Sequence, residues 1–93
     1  MPSIVATVKV KEGKSDEAQG FFKQLAADVL ANEPGTLAYV IHQRRGEPDT
    51  FVVYEKYESD EAFAIHGKNL AAKGAEFGAL LAGAPEIVML EEV

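Results

Sequence analysis

Apolar side chains alternate along residues 4–11, with Ile4, Ala6, Val8 and Val10 on one register and Val5, Thr7, Lys9 and Lys11 on the other. A two-residue period is that of a strand. Glu12-Gly13-Lys14 turns the chain, and the period then lengthens. Ala18, Phe21, Phe22, Leu25, Ala26, Val29 and Leu30 form the broad apolar face of a helix. Ser15 is its expected N-cap, and Asp16 and Glu17 suit the positive end of the helix dipole. Glu33-Pro34-Gly35 ends the helix near Asn32, because proline disfavours helical backbone in the residue before it and glycine serves the turn. Residues 37–44 and 50–57 read as two strands joined by a hairpin loop, Arg45-Gly46-Glu47-Pro48-Asp49. Ser59 caps a second helix through Ala62, Ile65 and Leu70, with a bend or break expected around Gly67 or Gly74. Phe77, Leu80 and Leu81 continue it as a second segment before Gly83-Ala84-Pro85, residues 87–90 make a short last strand, and Glu91-Glu92-Val93 is an acidic tail.

Strand, helix, strand, strand, helix, strand is the order of an α+β, ferredoxin-like βαββαβ fold with an antiparallel sheet. Two helices cover one face of such a sheet. Yet the second and third strands are apolar on both registers: Leu37, Tyr39 and Ile41 against Ala38 and Val40, then Phe51 and Val53 against Val52 and Tyr54. The second face therefore calls for a partner. The simplest is another copy of the chain about a two-fold axis, giving a homodimeric α/β barrel.

Composition narrows the function. A chain of 93 residues, 47% of them hydrophobic, suits a single domain spanning 1–93. Nine basic residues against 15 acidic ones give a net charge of -6, which argues against a nucleic-acid partner. The absence of cysteine excludes disulfides, thiolate metal sites and a cysteine nucleophile. Apolar runs fall well short of the ~20 residues of a membrane span, and no basic segment leads into an apolar one at the N-terminus. The expectation is a soluble, cytoplasmic protein.

Ser-Asp-Glu-Ala occurs twice, at 15–18 and 59–62. Measured from these two marks, Phe22, Leu25 and Val29 of the first helix correspond to His66, Asn69 and Lys73 of the second. An apolar stripe has become polar and titratable, and buried polar groups must be paired or they cost stability. His66 is thus either a histidine satisfied at the surface or by one hydrogen bond, or a general base in a pocket between helix and sheet. His42 shares a strand face with Arg44 and reads as half-exposed or interfacial. Glu55 shares a register with Phe51 and Val53, so it needs a partner if buried; Arg44 or Arg45 is the expected one, with structural ion pairing the first role and catalysis the second. Tyr39 and Tyr54 suit either strand packing or contact with a planar oxygenated ligand. Met89 and the phenylalanines are expected in the core. No metal-ligand spacing, nucleophile elbow or glycine-rich phosphate loop is present.

Glu33-Pro34-Gly35 with Leu37-Ala38-Tyr39, then Phe51-Val52-Val53-Tyr54-Glu55-Lys56-Tyr57, then Ser59-Asp60-Glu61-Ala62 and His66 form an ordered set over about half the chain. In this the sequence resembles the antibiotic biosynthesis monooxygenase family, which includes small quinol monooxygenases. The resemblance implies a dimeric ferredoxin-like barrel with a pocket in each subunit between sheet and helices. It also implies oxygenation of an electron-rich quinol, anthrone or polycyclic phenol by dioxygen, with no metal or flavin cofactor. His66 matches the family's helix histidine and would be the base or phenolate partner. Tyr39, Tyr54 and Asn69 would position substrate oxygens, with Glu55 and Phe51 completing the substrate-binding set. Two features depart from the family: Tyr57 stands where many relatives have tryptophan, and a second polar group further along the helix is missing unless Asn69 takes its place. Without a tryptophan, and with only Thr7 polar in the first strand where the haem-degrading branch has asparagine, haem degradation does not fit. The alternatives are a non-catalytic barrel binding a small aromatic ligand, and an isomerase, cyclase or decarboxylase on the same scaffold.

Overall fold

A computed structural model describes residues 1–93. Its elements run β1 (Pro2–Lys9), α1 (Ser15–Asn32), β2 (Thr36–Gln43), β3 (Thr50–Tyr57), α2 (Asp60–Ala71), α3 (Gly74–Leu80) and β4 (Glu86–Glu91). One sheet of order β2-β3-β1-β4 forms, with every neighbouring pair antiparallel. This is the ferredoxin-like α+β fold that the element order predicts. The second helix breaks before Gly74, whereas Gly67 lies inside α2.

Strand pleating sends alternate side chains to opposite faces. Ile4, Ala6 and Val8 of β1 and Phe51 and Val53 of β3 meet Ala18, Phe22, Leu25 and Val29 of α1 on the covered face, and all are buried. Phe22 is the centre of this layer, its ring 5.1 Å from Phe51 and 5.9 Å from Phe77 of α3. Phe22 and Phe51 are thus core residues, as expected, with Phe21, Phe63 and Phe77 partly buried against them. Met89 is not: it is 55% exposed. β4 is an edge strand, and α1 and α2 lie chiefly over β2 and β3, so its residues stay exposed. The edge is fastened by charge instead, the N-terminal amine meeting Glu91 at 2.7 Å and Lys56 meeting Glu92.

The two Ser-Asp-Glu-Ala segments start their helices differently. Ser59 caps α2 with its hydroxyl, which accepts from the Ala62 N–H at 3.1 Å. Ser15, expected to do the same, is already inside α1. Gly13, with φ of +83°, turns the chain so that the Lys14 carbonyl accepts the first helical bond, from the Ala18 N–H.

On the uncovered face, register aligns Val40, Tyr54, Val5 and Val88 in one row across all four strands. Val40, Tyr54, Val88 and Leu90 remain 37–46% exposed there. Behind β2, the turn after α1 presses on α2: a Cβ built on Gly35 would lie 2.6 Å from the Ala62 Cβ. Glycine is required here by proximity. Gly35→Ala is expected to cost about 1–3 kcal/mol in chemical denaturation, since the overlap is with a packed helix rather than a flexible side-chain end. A change below about 0.5 kcal/mol, the size usual for neutral surface substitutions, would show that this contact does not fix the turn.

Candidate functional site

The close approach at Gly35 sets the height of α2 over the sheet, and Ala62 and His66, four residues apart, are the two buried residues of that helix. His66 is 3% exposed, its ring between Tyr39 and Tyr57 at centroid distances of 5.0 and 5.6 Å. Its Nδ1 lies 3.0 Å from Oε1 of Glu33. Glu33 stands at the C-terminus of α1, where the helix dipole disfavours an anion, so it depends on local donors. The Thr36 hydroxyl donates to Oε1 at 3.1 Å, and the Asn69 amide to Oε2 at 3.3 Å. An ionised carboxylate only accepts, so Nδ1 carries the proton of this bond, and the tautomer that satisfies it has its lone pair on Nε2.

Across the ring, Nε2 is 3.9 Å from Glu55 Oε1, too far for a hydrogen bond. Oε1 is held instead by the Tyr57 hydroxyl, which donates to it at 2.5 Å. Glu55 was expected to pair with Arg44 or Arg45. The β2–β3 register sets it opposite Tyr39, five residues from Arg44 along β2 and hence roughly 16 Å away, and Arg44 pairs with Glu47 in the hairpin. Without a cation, burial pushes the Glu55 carboxyl above the usual carboxylate range, opposed by the Tyr57 hydrogen bond and by His66. Burial, with the nearby carboxylates, also raises both Tyr39 and Tyr57, which stay neutral phenols.

These groups stand at one end of a cavity of about 210 Å³ between the sheet and α1, α2 and α3. Its walls are otherwise apolar, formed by residues such as Ile4, Ala6, Phe22, Phe63, Phe77 and Ile87. No side-chain nitrogen or oxygen sealed inside the protein lacks a hydrogen bond. His66 Nε2, Glu55 Oε2 and the Tyr39 hydroxyl have no partner within the chain, and their residues line this cavity, so these three atoms face it. On the other side of His66 is a more polar cleft of about 230 Å³, lined by Glu33, Asn69, Asn32, Asp28 and Lys73, the last two bridged at 3.3 Å.

His66, Tyr39 and Glu55 therefore come together, and three other sequence candidates do not join them. Asn69 lies in the outer cleft and acts on Glu33. Tyr54 projects from the opposite face of the sheet, because it alternates with Val53 and Glu55. Phe51 is under Phe22, away from the cavity lining. Lys73 lies beyond the end of α2, and His42 is exposed on the uncovered face. Sequence reasoning missed Glu33, read only as a helix stop, and Tyr57, read only as a departure from relatives. An acid at the negative end of a helix and a phenol two residues from Glu55 on the same strand face are the signals that point to them. No three His, Cys, Asp or Glu side chains converge as a metal-ligand set.

The family model for antibiotic biosynthesis monooxygenase matches residues 1–76. A Caulobacter crescentus structure named for the same family is 40% identical, with a TM-score of 0.90 over 99% of this chain and 89% of its own. A Pseudomonas aeruginosa structure at 25% identity gives 0.83 over 99% and 93%. A Mycobacterium tuberculosis structure at 16% identity gives 0.85 over 99% and 94%, a likeness of fold alone. No curated protein matches this sequence. No helix is long and apolar enough to cross a membrane. Since the matched span contains the sheet's three longest strands, both long helices and the Glu33–His66–Glu55 cluster, the chain belongs to the antibiotic biosynthesis monooxygenase family.

Proposed function

We propose that this protein oxygenates an electron-rich quinol, anthrone or polycyclic phenol with dioxygen, without metal or flavin, and that His66 Nε2 is the base that removes the substrate proton. The observation that carries this reading is an imidazole nitrogen without a partner at the polar end of an otherwise apolar cavity. An aromatic body with one acidic hydroxyl or activated carbon matches that polarity. Deprotonation yields a delocalised anion able to reduce dioxygen directly, so the protein has to supply a base, an orientation and a dry site. Glu33 is the positioning residue, holding the ring and its tautomer as the carboxylate of a Ser-His-Asp triad does. The Tyr39 hydroxyl faces the same space and can donate to a substrate oxygen. No Lys or Arg lines the cavity, so a ligand with a carboxylate or phosphate finds no counter-charge except a protonated His66.

His66 and Glu55 facing one cavity would equally serve a proton-shifting isomerase. Oxygen uptake separates the two readings. The active unit is a homodimer, because the row Val40, Tyr54, Val5 and Val88 leaves an apolar sheet face that a second copy covers.

With a phenol that supports oxygen uptake, His66→Ala should lower kcat by about 10²–10⁴-fold. Glu33→Gln should lower it by about 10²-fold or more while leaving the ring in place, and nitrogen-15 NMR should show loss of the single imidazole tautomer. Unchanged kcat in His66→Ala would remove the base assignment. For the dimer, Tyr54→Asp should convert a species of twice the chain mass to monomer in sedimentation. A wild-type chain that sediments as a monomer would refute the two-fold barrel.

Glu55 gives a pH dependence with a definite sign. Burial holds its carboxyl above the usual carboxylate range, so the folded chain binds this proton more tightly than the unfolded chain. The resulting stabilisation is present below the unfolded value and is lost as pH rises through the folded one. Thermal melts should therefore show Glu55→Gln gaining on the wild-type chain as pH rises from about 4 to 7. A variant that instead loses ground to the wild-type chain over this range would mean Glu55 is stabilised as an anion.

A further inference from the structure

The oxygenation proposed above needs an acid as well as a base. One proton must leave the substrate before dioxygen reacts, and one must reach the resulting peroxide. Glu55 is buried beside the imidazole with no Lys or Arg near it. The groups around it are Tyr57 on its own strand, Tyr39 from β2, His66 from α2 and Glu33 behind the imidazole. Because the Tyr57 hydroxyl donates to Oε1, that oxygen is an acceptor, and the carboxyl's own proton belongs on Oε2. Oε2 is the oxygen with no partner in the chain, and it faces the cavity.

We propose that Glu55 is the general acid of the cycle, delivering its proton from Oε2 to the peroxide, while His66, beside it at the same end of the cavity, acts as base. This rests on the monooxygenase reading of the site. A substrate carbon with two hydrogens, or the equivalent tautomer of a phenol, gives one proton to His66 Nε2 and keeps the electron pair. The anion passes one electron to dioxygen, and the carbon radical and superoxide combine into a C–O bond, leaving a peroxide anion. Glu55 protonates its distal oxygen and becomes a carboxylate. The second hydrogen on that carbon then moves to Glu55 as a proton, its electron pair forms the carbonyl, and the O–O bond breaks. The departing hydroxide takes the proton from His66 and leaves as water. Carbon is oxidised from CH2 to C=O, dioxygen is reduced to one carbonyl oxygen and one water, and both side chains end as they began. No net proton has to cross the outer cleft. Burial, which favours the uncharged carboxyl, supports the same assignment.

The test compares Glu55→Gln with the wild-type chain on anthrone and on a naphthoquinol, first without dioxygen and then with it. The variant keeps the acceptor for Tyr57 and loses the proton. The expected result is anaerobic formation of the substrate anion within about threefold of wild type, with aerobic turnover lowered by about 10²-fold or more and hydrogen peroxide released. Infrared spectra of the wild-type chain at neutral pH should show a protonated-carboxyl C=O band that Glu55→Gln lacks. Aerobic turnover within about threefold of wild type, or loss of the anaerobic anion, overturns the assignment. If Glu55→Gln fails to fold, the wild-type infrared spectrum decides, and absence of the band overturns it. A wild-type chain that forms neither anion nor product with either compound removes the monooxygenase reading as well, an outcome distinct from failure of the variant alone.

Discussion

The hydrogen bond between Glu33 and His66 joins the end of α1 to the middle of α2, and the site depends on it. Each partner alone is an unfavourable thing to bury. Removing one side of a buried hydrogen bond typically costs about 1–3 kcal/mol, and more where the group left behind is charged, because it is left unsatisfied. Three donors converge on the Glu33 carboxylate, His66 and Asn69 from α2 and Thr36 from β2, so both elements are tied to the end of α1 at one point. Gly35 adds a steric counterpart two residues later by allowing the turn to touch Ala62. Hydrogen bonding fixes how the imidazole faces, and the glycine contact fixes how far it stands from the sheet.

The same arrangement explains why the two sides of the ring differ. Nδ1 meets a carboxylate supplied with donors beside a polar cleft, while Nε2 meets an apolar cavity and a carboxyl whose bound neighbour is a phenol. A histidine in water samples both tautomers, whereas here the two nitrogens are assigned different work by what surrounds them.

Much of this was legible in the sequence, for reasons that can be traced. Period and turn chemistry are local, so the strand at residues 50–57 and the end of α1 at Asn32 emerge from short windows. His66 emerged because it breaks an apolar stripe. Glu33 did not, because its meaning lies in a contact 33 residues away, and Tyr57 did not, because its bond to Glu55 two residues back matters only once Glu55 is known to be buried beside His66. Met89 was misplaced because hydrophobicity says that a residue prefers cover, not that the fold provides it, and β4 is an edge strand while α1 and α2 lie chiefly over β2 and β3. Asn69 was placed on the correct helix, but a spacing of three and four fixes a stripe without saying which cavity borders it, and Asn69 borders the outer cleft.

β3 serves two masters along one stretch of backbone. Val53, Glu55 and Tyr57 belong to the interior, while Val52, Tyr54 and Lys56 belong to the bare side of the sheet. Insertion or deletion of a single residue upstream would exchange the two sets, putting a lysine and Tyr54 inside and the carboxyl outside. The strand can therefore drift by substitution on either side but not by a shift of frame, and any evolutionary change of chemistry in this scaffold has to be written in alternate letters.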